Sequence, residues 1–173
     1  MCDCRVRRGV RTVMQRSHIV SASLLVVASA AATAYTLEEQ QTIDLYKKDF
    51  EKQVDQMHAS CGNQLKVEYA LDSEPKNMKD VTRRPAGWGY SVCGEATDAL
   101  TSVCNDKAAK PVVVKKLKTL KCKFQMGTSK AVQAKGQHHF NAFTIDGTTL
   151  LLEFDHLGGN TTIETIEFIR KSY

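Results

Sequence analysis

The sequence predicts an α+β domain: a small antiparallel sheet of about four strands, packed against an N-terminal amphipathic helix, a second helix and a C-terminal helix. Three observations lead to this fold class. Apolar residues recur at helical spacing near residue 40, and apolar and polar residues alternate in later segments. An Asp-Gly dipeptide joins two of those segments. The four cysteines after residue 34 predict two disulfides.

The first helix is the clearest element. Thr36 and Glu39 have the spacing of a capping box, and Gly62 suits the residue after the helix. An apolar residue follows every three or four positions between them, so one side of the helix should pack on the core. This stripe consists of Ile43, Tyr46, Phe50, Val54, Met57 and Cys61.

The middle of the chain contains two alternating segments separated by helical ones. Residues 64–71 and 118–125 alternate apolar and polar side chains and predict half-buried strands. Residues 72–92 contain Pro and Gly and predict a long loop, and 94–105 predict a second helix. A short helix over 111–117 competes there with a strand, because three consecutive valines suit a strand equally well.

The clearest hairpin centres on Asp146-Gly147, the preferred dipeptide of a type I′ turn. A two-residue loop would place Phe143 opposite Leu150 and His138 opposite Asp155. Phe143, Leu150, Leu152 and Phe154 would then share the core face.

The last segment begins at Asn160, a good helix N-cap. Ile163, Ile166 and Ile169 have helical spacing and predict a C-terminal helix. The threonines and isoleucines in this segment make a strand the alternative.

Residues 1–34 predict a cleaved signal peptide, with an arginine-rich start and an uncharged run over 19–34 that ends in Ala-Thr-Ala. Met14 is an alternative start that gives a compact leader. An uncleaved anchor is the alternative, but the run is short for a span of about 20 residues. The expectation is a single domain over 35–173, secreted or periplasmic, without a transmembrane span.

Four cysteines remain after cleavage, and an even number in an exported domain predicts two disulfides. No Cys-x-x-Cys pair indicates zinc. If 94–105 is helical, Cys93 and Cys104 lie about 16 Å apart, too far for a bond. Of the two remaining pairings, we favour Cys61–Cys93 with Cys104–Cys122, since each joins neighbours in sequence. The alternative joins Cys61 to Cys104 and Cys93 to Cys122.

Charge is segregated along the chain. Cleavage would lower the net charge from +5 to about +1, because five of 24 basic residues but only one of 19 acids would leave. We therefore expect no nucleic-acid partner. Residues 107–145 carry nine lysines and no acid, which indicates a surface for an anionic envelope polymer or a protein. Its candidate residues are Lys116, Lys118, Lys121 and Lys123.

A second candidate surface lies in the loop that precedes the second helix. Arg83 and Arg84 offer planar donors to carboxylate, phosphate or sulfate groups. Trp88 and Tyr90 could stack on a sugar. The alternative is that Trp88 anchors a long loop to the core while the arginines are merely solvated.

His138 and Asp155 resemble part of a catalytic triad, but no nucleophile motif accompanies them. The predicted hairpin also places His138 and His139 on opposite faces, which disfavours a metal site. The sequence therefore predicts an exported non-enzymatic binding domain without a cofactor. The alternatives are a small extracytoplasmic hydrolase using His138 and Asp155, and a structural or inhibitory module.

Overall fold

The computed structural model describes residues 35–157 and 159–173. The signal peptide prediction lies outside these residues. The helices are α1 (Leu37–Cys61), α2 (Met78–Thr82), α3 (Trp88–Asn105), α4 (Ala109–Lys116), α5 (Thr128–Gln133) and α6 (Thr161–Ser172). The strands are β1 (Lys66–Ala70), β2 (Thr119–Phe124), β3 (Ala142–Asp146) and β4 (Thr149–Phe154). The predicted α+β class with two disulfides is confirmed.

The sheet is mixed, with the strand order β1-β2-β4-β3. β1, β2 and β4 are parallel, and only β3 and β4 form an antiparallel pair. The prediction of an antiparallel sheet is therefore wrong for two of the three strand pairings. Alternation of apolar and polar residues indicates a strand with one buried face, but it does not encode the direction of its neighbour. The helical segment between β1 and β2 is long enough for the crossover that a parallel pair requires.

The core lies between one face of the sheet and the helices. Leu120, Leu150, Leu152 and Phe154 project to this face and are fully buried or nearly so. They belong to one apolar cluster with residues of α1 and α3. The opposite face carries polar side chains, and we call it the open sheet face. Its members include Lys66, Glu68, Lys121, Lys123, Thr144 and Glu153.

Helices α1 and α3 run parallel to each other, and this arrangement determines the disulfides. The Phe50 and Tyr90 rings lie 5.4 Å apart between centroids, and farther along Cys61 is bonded to Cys104. After α1, the strand β1 runs back toward the beginning of α1, and α3 starts near that point. The C-terminal ends of α1 and α3 therefore lie together. The favoured pairing of Cys61 with Cys93 is therefore wrong, and the alternative pairing is correct.

The second disulfide, Cys93–Cys122, joins α3 to β2 with a Cα–Cα distance of 5.8 Å. Cys93 and Cys104 both lie within α3, which confirms the argument that excluded a bond between them. All four cysteines are buried. The two bonds thus attach α3 to α1 at one end and to the sheet near the other.

Several helix boundaries differ from those that the sequence predicts. The helix α3 begins at Trp88 rather than at residue 94, and the predicted loop contains the short helix α2. The segment with three valines is the helix α4, and the last segment is the helix α6. Two predicted helix starts are confirmed: Glu39 N–H donates to Thr36, and Ile163 N–H donates to Asn160 Oδ1.

The hairpin has the predicted core face but a different register. Phe143 pairs with Leu152 rather than with Leu150, because the loop consists of residues 147–148 and Asp146 remains in β3. A shift of two residues leaves each side chain on its original face. His138 precedes β3, so the predicted pairing of His138 with Asp155 is wrong.

Burial of Glu95 on α3 gives a testable pH dependence. Desolvation raises the pKa of this carboxyl above its usual 4.5, and hydrogen bonds to Thr161 oppose part of the rise. The folded protein therefore binds the proton more tightly than the unfolded chain, so stability should fall as the pH rises above about 4.5. Glu95→Gln should remove this contribution, so the variant should gain stability relative to wild type between pH 4.5 and neutrality.

Urea unfolding of both proteins across this pH range measures the effect. Gln keeps an oxygen that can accept from Thr161, so the comparison isolates the charge. Glu68→Gln, on the exposed open sheet face, is the control. A difference between wild type and Glu95→Gln that did not change with pH would contradict the expected desolvation.

Candidate functional site

The predicted arginine–aromatic loop is attached to the core. The Trp88 ring meets Phe154 edge-on, with centroids 5.9 Å apart, and the Arg84 guanidinium lies 4.8 Å above the Trp88 ring. Arg84 Nε also donates to the His156 carbonyl at 3.2 Å. These contacts match the alternative in which Trp88 anchors the loop.

The other two residues predicted for that surface, Arg83 and Tyr90, lie in different environments. The Tyr90 ring packs against Phe50 and Tyr69, and burial raises the pKa of its hydroxyl. Arg83 is exposed and lines a small groove beside the start of α1. The four loop residues therefore do not form one binding surface.

A buried carboxylate that the sequence analysis missed lies beneath this loop. Glu74 accepts the N–H groups of Gly87 and Gly89 at 2.8 and 2.9 Å, and the hydroxyl of Tyr69. The first N–H groups of a helix have no partner within it and favour negative charge, so Glu74 stabilises the start of α3. Because the protein's own carboxylate fills this position, the start of α3 offers no site for an external anion. The sequence signal for this contact is an acidic residue, Glu74, in the loop before a helix start that contains Gly87 and Gly89.

The structure separates His138 from Asp155. Asp155 is buried, and its two oxygens accept from the backbone and hydroxyl of Ser129 and from the backbone of Leu157. His138 is exposed and lines a cleft formed by other residues. Ser129 is fully buried, so this hydroxyl is not presented to a substrate. The geometry thus gives the hydrolase alternative no support.

The four predicted lysines divide among three environments. Lys121 and Lys123 lie on the open sheet face, where Lys121 is in register with Glu68 and the Lys123 ammonium is 3.9 Å from Glu153. Lys118 Nζ donates to the carbonyl of Val114 at 2.8 Å. The ammonium of Lys116 lies 5.2 Å from the centre of the Tyr173 ring. These lysines therefore do not form one stripe.

Lys116 instead belongs to a basic region formed by α4 and the end of α6, which we call the α4–α6 surface. It includes a groove of about 310 Å³ whose lining contains Val112, Ile169, Arg170 and Tyr173. Asp106, the acid in the groove lining, accepts the N–H groups of Ala108 and Ala109 at the start of α4. The exposed cations of this surface are Lys107, Lys110, Lys115, Lys116 and Arg170. Arg170 comes from the C-terminal segment, so sequence proximity to the lysine stretch did not reveal it.

A cleft of about 810 Å³ lies between segment 136–143 and α6, and we call it the α6 cleft. One face of α6 lines it at spacings of three and four residues, so the helix presents a continuous wall. That wall consists of Asn160, Ile163, Glu164, Glu167, Phe168 and Lys171. The opposite wall includes His138, His139, Phe140, Asn141 and Phe143. The two walls come from separate segments, 136–143 and 160–171, so no local sequence pattern reveals the cleft.

Comparisons with protein-family models, curated proteins and solved structures find no match to this chain. Among the described residues, no helix is both long enough and apolar enough to cross a membrane. Nor does that part of the chain bring together three His, Cys, Asp or Glu side chains able to hold a metal ion. A proposal about function therefore depends on the surfaces themselves.

Proposed function

We propose that the chain is an exported, non-enzymatic binding module and that its α4–α6 surface binds an anionic polymer. The observation that carries this proposal is the presence of five exposed cations in the segment 107–116 and at the end of α6, the two parts of the chain that form a groove with one acidic side chain in its lining. That carboxylate belongs to Asp106 and is directed at backbone N–H groups. We expect the five cations to outweigh this one acidic side chain and to attract a polyanion.

The cations of this surface are available to a ligand. None of the five takes part in an ion pair among the described residues. On the open sheet face, by contrast, Glu68 and Glu153 accompany the lysines. Charge segregation of this kind raises the local concentration of a polyanion. The Lys116 ammonium lies over the Tyr173 ring, which places this cation beside the groove that Tyr173 lines.

Two further features support export and a binding role. Two buried disulfides suit an oxidising compartment, because cytosolic proteins rarely keep such bonds. The buried acid of the hydrolase alternative, Asp155, already accepts three hydrogen bonds within the fold. We therefore favour binding over catalysis, and an acidic polysaccharide such as alginate is the first ligand to test.

Replacing Lys115, Lys116 and Arg170 with glutamine should weaken alginate binding at least about tenfold, or about 1.4 kcal/mol. The three exposed cations face a polyanion whose attraction depends on their summed field. Added salt should weaken the wild-type interaction, since the screening length falls from about 10 Å at 0.1 M to about 3 Å at 1 M salt. Affinity chromatography on immobilised alginate over a salt gradient measures both effects.

The matched control replaces Lys66, Lys121 and Lys123 with glutamine on the open sheet face. It changes the net charge by the same amount but should elute close to wild type. Equal losses in the two variants would show that net charge alone causes retention. That outcome would contradict a localised binding surface.

A further inference from the structure

We propose that the α6 cleft is a second binding site, for a small organic amine: a protonated amino group on an apolar or aromatic body. This site is separate from the groove of the α4–α6 surface, and the inference does not rest on polymer binding. Three features of the cleft walls lead to it: a buried carboxylate without a cation, a buried acceptor without a donor, and a set of aromatic rings.

The carboxylate belongs to Glu164. Its oxygens accept from Phe140 N–H and Asn141 N–H, both at 3.1 Å, and from Asn141 Nδ2 at 2.8 Å. The side chain is buried, and no cation pairs with it among the described residues. A buried charge is costly unless it is paired, so a cation that entered the cleft would be favoured.

The Lys171 ammonium and the His139 imidazole of the cleft do not pair with Glu164. The Lys171 ammonium and the His139 Nε2 each lie 3.7 Å from Glu167 Oε2. Both therefore interact with Glu167, on the more exposed part of α6. Lys171 thus offsets the charge of Glu167, whereas Glu164 has no cation, so the cleft should favour an ammonium group over an anion.

The unpaired acceptor is Asn141 Oδ1. The Nδ2 atom donates to Glu164, and a carboxylate only accepts, so this contact fixes which end of the amide is oxygen. The remaining oxygen is buried in the cleft wall and has no hydrogen-bond partner among the described residues. Buried acceptors are nearly always satisfied, so this oxygen is available to accept a ligand N–H group once the cleft wall adjusts to expose it.

Aromatic and aliphatic groups provide the surface for the rest of the ligand. The Phe143 and Phe168 rings stack with centroids 5.1 Å apart and planes inclined by 20°. Phe140 and Ile163 also line the cleft, and Ile163 is 52% exposed. A cleft of about 810 Å³ lies in the usual range for small-molecule sites. Aromatic faces also attract ammonium groups.

Three matched probes test the class of ligand: 2-phenylethylamine, 2-phenylethanol and phenylacetate. They share an aromatic body and differ in charge. Isothermal titration and amide chemical shifts of residues 35–173 should show the amine binding at least tenfold tighter than the alcohol and the acid, with shifts concentrated in segment 136–143 and α6. Equal or tighter binding of phenylacetate, or no binding of the amine, would overturn the proposal.

Two variants test the site. Glu164→Gln removes the charge with little change in shape and should weaken amine binding at least tenfold. Ile163→Arg places a guanidinium at an exposed position of the cleft and should abolish amine binding without unfolding the chain. Ile163→Arg decides the question if Glu164→Gln does not fold.

Leu45→Arg is the matched control, because it makes the same type of change at an exposed position of α1. It should bind the amine as wild type does. Wild-type affinity in Ile163→Arg, or equal losses in Ile163→Arg and Leu45→Arg, would contradict the assignment. Retention on alginate should be unchanged in Glu164→Gln, so the two proposals fail independently.

Discussion

Removal of either disulfide should lower the free energy of unfolding by about 4 kcal/mol in the chain-entropy treatment. The bonds connect cysteines 43 and 29 residues apart, and each restricts the unfolded chain by a similar amount. Domains of this kind are typically stable by about 5 to 15 kcal/mol, so loss of both bonds should leave the fold marginal or unfolded. Urea unfolding of Cys61→Ala/Cys104→Ala and of Cys93→Ala/Cys122→Ala measures each contribution.

Peptide mapping without reduction provides the control for the pairing. Digestion should release one peptide that contains the Cys61–Cys104 bond and another that contains Cys93–Cys122. Wild type in reductant should unfold like a variant that lacks all four cysteines. A peptide containing Cys61 bonded to Cys93 would contradict the parallel arrangement of α1 and α3.

Glu74→Ala should destabilise the domain by about 3 kcal/mol or more. Its carboxylate is 5% exposed and accepts two backbone N–H groups and the Tyr69 hydroxyl, so truncation leaves three buried donors without a partner. A hydrogen bond to a charged group contributes about 1.5 to 3 kcal/mol. Glu74→Gln should lose less, because one oxygen remains as an acceptor. Chemical denaturation monitored by circular dichroism measures these losses.

Two further variants define the origin of the effect. Tyr69→Phe removes only one of the three donors and should cost about 1 kcal/mol. Glu68→Ala, an exposed neighbour on β1, should change stability by less than about 1 kcal/mol. A loss in Glu74→Ala no larger than that in Glu68→Ala would show that Glu74 does not stabilise the start of α3.

The sequence by itself determined the elements whose signals are local. The capping box at Thr36 and Glu39 and the N-cap at Asn160 involve residues three positions apart, so their geometry follows from the sequence. The core face of the hairpin follows from strict alternation, which survives a shift of two residues in register. The number of disulfides follows from an even cysteine count.

Tertiary structure alone decided how those elements meet. The direction of β1 sets α3 parallel to α1, and this brings Cys61 to Cys104 rather than to Cys93. The lysines of residues 107–145 lie on different surfaces. Alternate residues of β2 project to the open sheet face, whereas the lysines of α4 project from that helix. Likewise the α6 cleft joins Asn141 to Glu164, 23 residues away. Hydrophobic burial is non-directional, so the sequence pattern specifies which faces are buried, whereas long-range packing selects their partners.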